Sequence, residues 1–401
     1  MLWKKRNAPL CLTKAFHVIY YIISPKRFGC CGDPALTRRT TIKDIAELAG
    51  VSLGSVHCAL AGKAGVGETT RRRILDIAQE NNYRPNIVAA SLKRKTLRIA
   101  AAFPEAVEDN RFYFPQVWKG VRDCLHSQRD FNIELLELPY RKGEGRQEDE
   151  LERLHAEGGV DGLLTLGFSD DFGPVSLSRF NRLQIPMVLV GDDMPQSGRI
   201  CCVQPNYQVV GRMLAELVTR QIPPGAPVMI CAGNASMPSH YLVLMGFDDY
   251  LRERGLENTV YKIHTGAFGR EGAAVIVREL EKHPDVAACV GVTARCSFML
   301  GQALIELARV GDMIAVGSDL FGENIAFLAD GVFTNILNKN QYYQSHLAAS
   351  VLVDYLLRDI MPANDVMFVG SEVVFRSALP MLEAGSPTVP YSAFRNTYSL
   401  F

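Results

Sequence analysis

Bond-making chemistry needs particular residue types at particular spacings, and this sequence offers few of them. Its eight histidines do not cluster at metal-ligand spacing, and neither H-E-x-x-H nor G-x-S-x-G occurs. "GKAGVG" at 62–67 has the glycines and lysine of a phosphate loop in the wrong order. The residues favour non-covalent recognition instead. Residues 53–58, Leu-Gly-Ser-Val-His-Cys, bring small side chains, a hydroxyl and an imidazole to one short stretch. Thr41, Ser52, Ser55, Thr70, Arg71 and Lys93-Arg94-Lys95 supply hydroxyls and cations suited to phosphate oxygens. Charge is divided along the same line. Residues 1–39 hold eight Lys or Arg against one acid, and 40–98 hold ten against five, in a chain of 43 basic and 43 acidic residues. A basic front on an acidic remainder points to a polyanion at the front and a different task behind it.

With 401 residues, 48% of them hydrophobic, the chain can bury a large core divided among two or three domains. Its ten cysteines form no C-x-x-C pair, and several sit inside apolar runs. Scattered thiols of this kind fit a reducing cytoplasm better than a disulfide framework or a zinc site. Residues 1–39 stand apart. "APLCLTKAFHVIYYIIS" after Lys4-Lys5-Arg6 has the outline of a signal peptide, yet Lys14 and His17 interrupt it and it is too short to span a bilayer. The expectation is a mis-set start or a disordered extension.

From residue 40 the elements become legible. Ile42, Ile45, Ala46, Leu48 and Ala49 recur at helical spacing, Gly50 ends that helix, and Ser52 caps a second over 53–60. Val56, Ala59 and Leu60 are expected on its buried side. A third helix begins near Glu68 and turns Ile74, Leu75 and Ala78 inward, running toward Tyr83. Helix, glycine turn, capped helix and third helix make a helix-turn-helix domain over 40–84. Periodicity alone leaves a protein partner open beside DNA.

"TIKDIAELAGVS", "AGKAGVGETTRRRILDIAQENNYRPN" and "AASL" together resemble the headpiece and hinge of the lactose/galactose repressor family of bacterial transcription regulators. The resemblance implies that residues 53–58 enter the major groove, with Leu53, Gly54, Ser55, His57 and Cys58 nearest the bases. Thr41, Ser52, Thr70, Arg71 and Lys93 would hold the backbone. The family usually has Ser then Arg where this chain has His57 and Cys58. That arginine's guanine contact is worth about 1–3 kcal/mol of discrimination, and a thiol does not replace it. An altered code and a poorly binding headpiece both fit that departure. Residues 85–96 resemble the hinge: Pro85 stops a helix, Asn86 caps the next, Ala89 lies within it, and Leu92 stands where the family wedges a minor-groove base step.

After the hinge, apolar strands alternate with 10–15-residue helices in two series, which means parallel doubly wound sheets. The fold class expected for 97–401 is therefore α/β, a two-lobed body resembling the periplasmic-binding-protein clamp, behind an all-α helix-turn-helix headpiece. The lobes are expected at 97–205 plus 365–401, and at 206–364. In such folds small molecules bind beyond the carboxyl ends of the strands. The resemblance nominates Asn110, Phe112 and Tyr113 in "DNRFYF", with Asp192, Tyr241, Arg295, Asp319 and Asn338. Aromatics in such a loop also pack into core, and Asp319 also fits a helix cap. Val243 and Gly191 stand where relatives carry an arginine and an aspartate, while Arg295-Cys296 replaces a usual Asn-Asp. The cation is relocated, which leaves an acidic or modified sugar open.

Three function classes follow. An enzyme lacks a catalytic constellation, and a secreted carrier calls for a leader directly before "LRIAAAF". The reading that uses all the motifs is a regulator with no cofactor: a homodimer on a pseudo-palindromic double-stranded operator, controlled by a small, carbohydrate-like effector, away from membranes.

Overall fold

The computed structural model describes residues 42–60, 65–81, 96–128, 131–141, 153, 156, 159–169, 173–174, 185–234, 236–265 and 268–383. The chain forms two compact units that separate after Ile87.

In the first unit, α1 (Ile42–Ala49), α2 (Leu53–Leu60) and α3 (Glu68–Glu80) pack around Ile45, Ala46, Ala49, Val56, Ala59, Ile74 and Ala78. Gly50 takes φ +59°, and its N–H and that of Val51 close on Glu47 O and Ala46 O. That left-handed turn ends α1. Leu48 and Leu75 are 57% and 43% exposed, against the inward placement expected from spacing. On α3 it is Ile77, three residues from Ile74, that reaches the core, while Leu75 lies about 100° round the helix.

The second unit carries two six-stranded sheets among its described residues. The first contains β1 (Leu97–Ala102), β2 (Ile133–Glu137), β3 (Gly162–Thr165), β4 (Met187–Val190), β5 (Cys201–Pro205) and a late strand, β11 (Val366–Val369). Their order is β11-β5-β4-β3-β1-β2, all parallel. The second contains β6 (Val228–Cys231), β7 (Val260–Ile263), β8 (Ala288–Gly291), β9 (Ile314–Ser318), β10 (Asn335–Asn338) and β12 (Glu372–Phe375). Its order is β12-β10-β9-β8-β6-β7, with β12 alone antiparallel. Strands buried on both faces, such as "GLLT" and "MVLV", have continuous apolar runs because helices cover both sides.

The helices that matter for the cleft are α4 (Phe114–Ser127), α5 (Tyr207–Thr219), α6 (Pro238–Arg254), α7 (Arg270–Lys282), α8 (Ala294–Glu306), α9 (Gly322–Ala329) and α10 (Gln341–Arg358). The division between lobes differs from the sequence expectation at two places. Helix α10, expected in the second lobe, packs Ala348, Leu352 and Leu357 into the first lobe's core beside Trp118 and Val121. Strand β12, expected in the first lobe, pairs with β10, and Val374 enters the second lobe's core. The chain therefore crosses between lobes after β5, after β10 and after β11. An apolar helix joins whichever sheet its stripe can cover, and local pattern does not say which sheet that is.

Candidate functional site

The reading helix is held from behind. Ser52 Oγ accepts the Ser55 N–H at 3.1 Å and lies 3.0 Å from the Ser55 hydroxyl, so the two serines cap α2. Val56 and Ala59 are buried, while Leu53, Gly54 and His57 are exposed and Ser55 and Cys58 half-buried. This leaves the expected face open. Arg71 is half-buried, and its Nη1 donates to Cys58 O at 3.4 Å and Ala59 O at 3.3 Å. Expected to hold phosphate, it ties the carboxyl end of α2 to α3. Thr70 is half-buried beside it. Thr41, Asn86, Ala89, Leu92 and Lys93 lie outside the described residues.

Between the lobes lies a cleft of about 810 Å³, counted with its open mouth. Of the eight nominated residues, the fold brings Asn110, Tyr113, Asp192, Arg295 and Asp319 together on its walls. Gly191 and Val243, two of the departures from the family pattern, are there as well. Phe112 is not among the cleft-lining residues. It is buried in a nest of Phe268, Phe298 and Phe321, with ring centroids 4.7–5.8 Å apart. Tyr241 is 56% exposed on α6, outside the cleft lining. Asn338 is buried, donates to Glu372 Oε1 at 3.0 Å and accepts from the Asn340 N–H at 3.2 Å. It braces the lobe crossing.

Asp319 follows β9 with φ +73°, a left-handed backbone rare for a residue with a Cβ. Asn324 Nδ2 holds that turn by donating to Ser318 O and Asp319 O at 2.8 and 2.9 Å. Aspartate tolerates this region better than most residues with a Cβ, and the two Asn324 bonds fix the turn in it. The carboxylate caps no helix. Its Oδ2 lies 2.8 Å from Lys339 Nζ, and both residues are buried. Lys339 also donates to Val292 O at 3.1 Å. The sequence reading missed Lys339, although a charged residue directly after an apolar strand end was a usable signal.

Tyr113 and Tyr207 complete the first wall. Burial pushes both phenols well above their usual range, and the nearby Asp319 and Asp192 carboxylates push the same way. Both therefore remain hydroxyls. Tyr113 donates to Gln344 Oε1 at 3.3 Å and Tyr207 to Gly191 O at 2.9 Å. Gly191 sits at φ +81°, and a Cβ there would lie 3.3 Å from the Tyr113 oxygen. Across the cleft, Arg295 Nε lies 2.9 Å from Asp109 Oδ2, and its Nη2 donates to Asn110 Oδ1 at 2.7 Å. Ser239, His240, Thr293 and Met237 close the second wall. The surface can orient a compact molecule that has polar edges and an apolar face. Among the described residues no group of His, Cys, Asp and Glu is arranged to hold a metal.

Fold and cleft define a two-lobed ligand-binding clamp on the same chain as a helix-turn-helix module. The chain belongs to the periplasmic binding protein domain family, which matches residues 104–358, and carries at 41–86 the module of the bacterial regulatory proteins, lacI family. It is 36% identical over 154 residues to the HTH-type transcriptional regulator RegA of Clostridium saccharobutylicum, covering 38% of this chain and 43% of RegA. It is 30% identical over 163 residues to the HTH-type transcriptional repressor PurR of Aliivibrio fischeri (strain MJ11), covering 40% and 46%. The match thus spans less than half the length of these relatives. Among solved structures, the transcriptional regulator CelR–cellobiose complex has a TM-score of 0.55 at 22% identity, covering 84% of this chain and 98% of that one. At that identity the likeness concerns the fold.

Proposed function

We propose that this protein is a sequence-specific DNA-binding transcriptional repressor whose operator affinity is set by a small polar effector, a sugar or sugar derivative, bound between the lobes. One observation carries the reading: α2 is buried along Val56 and Ala59 and offers Leu53, Gly54 and His57 outward, with Ser55 and Cys58 half-buried beside them. A capped helix with that face, in a basic segment matched by the lacI-family module, is built to enter a major groove. RegA and PurR are named as regulators, and CelR was solved with cellobiose. These names support regulation and a carbohydrate-like effector here.

Two copies are proposed to act on a pseudo-palindromic operator, because paired headpieces read paired half-sites. Leu92 is proposed as the wedge at a base step, and Asn86, Ala89, Lys93 and Thr41 as its accompanying DNA contacts. Asn110, Tyr113, Asp192, Arg295 and Asp319 are proposed to face the effector. Linkage then requires the effector to change operator affinity by the factor by which operator changes effector affinity. The protein is proposed to work in the cytoplasm, where its DNA is. No helix among the described residues is long and apolar enough to cross a membrane.

Selection of bound duplexes from a random pool at moderate salt tests this reading. The expected result is enrichment of one roughly two-fold symmetric site that departs from the family's usual guanine where Cys58 replaces arginine. A pool that shows no enrichment with or without metabolite extract would end it.

A further inference from the structure

Lys339 stands in the cleft wall, on the segment that leaves β10 of the second lobe for α10 of the first. A lysine is ordinarily a mobile point charge with three donors and no acceptor. This one is held on both sides of its backbone. Its N–H donates to Asp319 Oδ1 at 3.3 Å, and its carbonyl accepts from Gln344 Nε2 at 2.8 Å. The side chain is 8% exposed. Two ammonium protons have acceptors, Asp319 Oδ2 at 2.8 Å and Val292 O at 3.1 Å, and the third has none among the described residues. A buried donor without a partner is costly, so this proton suits an acceptor that a ligand brings. The neighbouring phenols offer the opposite. Tyr113 commits its proton to Gln344 Oε1 at 3.3 Å, and Tyr207 commits its own to Gly191 O at 2.9 Å. Towards the cleft each then presents only oxygen lone pairs. Gln344 joins the two kinds of site, binding Tyr113 through its oxygen and Lys339 through its nitrogen. An alcohol satisfies both, because its oxygen accepts while its proton is donated; a carboxylate cannot donate and an ammonium cannot accept. Charge points the same way. The walls hold Asp109, Asp192 and Asp319 against Arg295 and Lys339, so these five residues leave no positive surplus for an acid.

We infer that Lys339 determines effector specificity: it gives its remaining proton to a ligand hydroxyl, which donates in turn to a tyrosine oxygen, and the cleft thereby selects uncharged polyhydroxy compounds over sugar acids and sugar phosphates. The inference rests on the effector reading above and narrows it. The displaced arginine, which left an acidic sugar open, does not reverse it, since Asp109 lies 2.9 Å from Arg295 and offsets its charge. The selecting charge is instead Lys339, already balanced by Asp319, so it acts as a donor and not as a seat for an anion.

Isothermal titration of the full chain without DNA tests the inference, using glucose, galactose and ribose against glucuronate, galacturonate and ribose 5-phosphate. At least one neutral sugar is expected to bind, and its charged counterpart to bind about tenfold more weakly or worse, because like charges brought together are penalised. Asp319→Asn leaves the Lys339 charge unbalanced and should move the preference toward the acid by about tenfold. Should that variant fail to fold by circular dichroism, the Asp319→Leu/Lys339→Met pair replaces it, with neutral-sugar affinity expected to fall by about tenfold or more. A sugar acid or phosphate bound as tightly as its neutral counterpart overturns the inference, as does a series in which no neutral sugar binds. So does a folded Asp319→Asn with wild-type selectivity, or a double variant with wild-type affinity. Selection of duplexes is independent of these titrations: if it enriches a symmetric site while they fail, the regulator stands and the effector class alone falls.

Discussion

Asp319 is expected from its place after a strand to receive ligand hydroxyls, and it does face the cleft, but its carboxylate is also half of a buried ion pair with Lys339. Removing one partner of such a pair leaves an uncompensated buried charge and costs roughly 3–5 kcal/mol, whereas replacing both by apolar groups is often close to neutral. Asp319→Ala should therefore lower the urea midpoint sharply, and Asp319→Leu/Lys339→Met should recover most of the loss. If the double variant were as unstable as the single one, the pair would not be the cause. This pairing also affects ligand experiments. Loss of effector response in Asp319→Ala counts as a contact only if the double variant, folded and stable, loses it too.

At the scale of elements, α4 and α10 approach each other closely at Gly120. A Cβ on Gly120 would lie 2.1 Å from Ser345 Oγ and 2.3 Å from the Tyr342 carbonyl oxygen. The backbone cannot yield as a side-chain tip can, so Gly120→Ala should destabilise by about 1–3 kcal/mol, read as a lower midpoint at unchanged denaturant slope. The same junction carries a pH dependence. His346 lies against the Tyr342 ring, burial holds its pKa below the usual histidine value, and Asp123 opposes that shift. The native state thus prefers neutral imidazole, and the unfolded chain binds the proton more readily below about pH 6.5. Stability is present above that value and is lost as pH falls through it toward the lowered native pKa. His346→Gln should flatten this part of the stability profile between pH 7.5 and 5. A slope identical to that of the wild type would assign it to other groups.

At the scale of the whole molecule, neither lobe is continuous in sequence. The first lobe's core includes Ala348, Ala349, Leu352 and Leu357 from α10, reached after the second lobe has been built. A fragment of residues 96–340 keeps five of the six strands of the first sheet but lacks that helix. Trp118, buried and donating from Nε1 to Pro104 O at 3.0 Å, is its only tryptophan. Its fluorescence should move to the emission of solvated indole in the fragment, where the full chain keeps it blue. A native-like spectrum would show that the lobe closes without α10.

Legibility in the sequence followed the range of the interactions involved. Capping serines, the glycine stop after α1 and alternating apolar strands act over a few residues, so their pattern is written locally, and the two-lobed α/β plan and the exposed face of α2 could be read from it. The family resemblance nominated eight cleft residues, of which Asn110, Tyr113, Asp192, Arg295 and Asp319 line the cleft, where strand ends converge. Distant contacts decided the rest: Phe112 in an aromatic nest formed by three distant segments, Asn338 bracing β12, α10 and β12 exchanging lobes, and Lys339 and Asp109 as the partners of Asp319 and Arg295. Those charges lie 20 and 186 positions apart in the chain, and only the tertiary structure brings them within hydrogen-bond range.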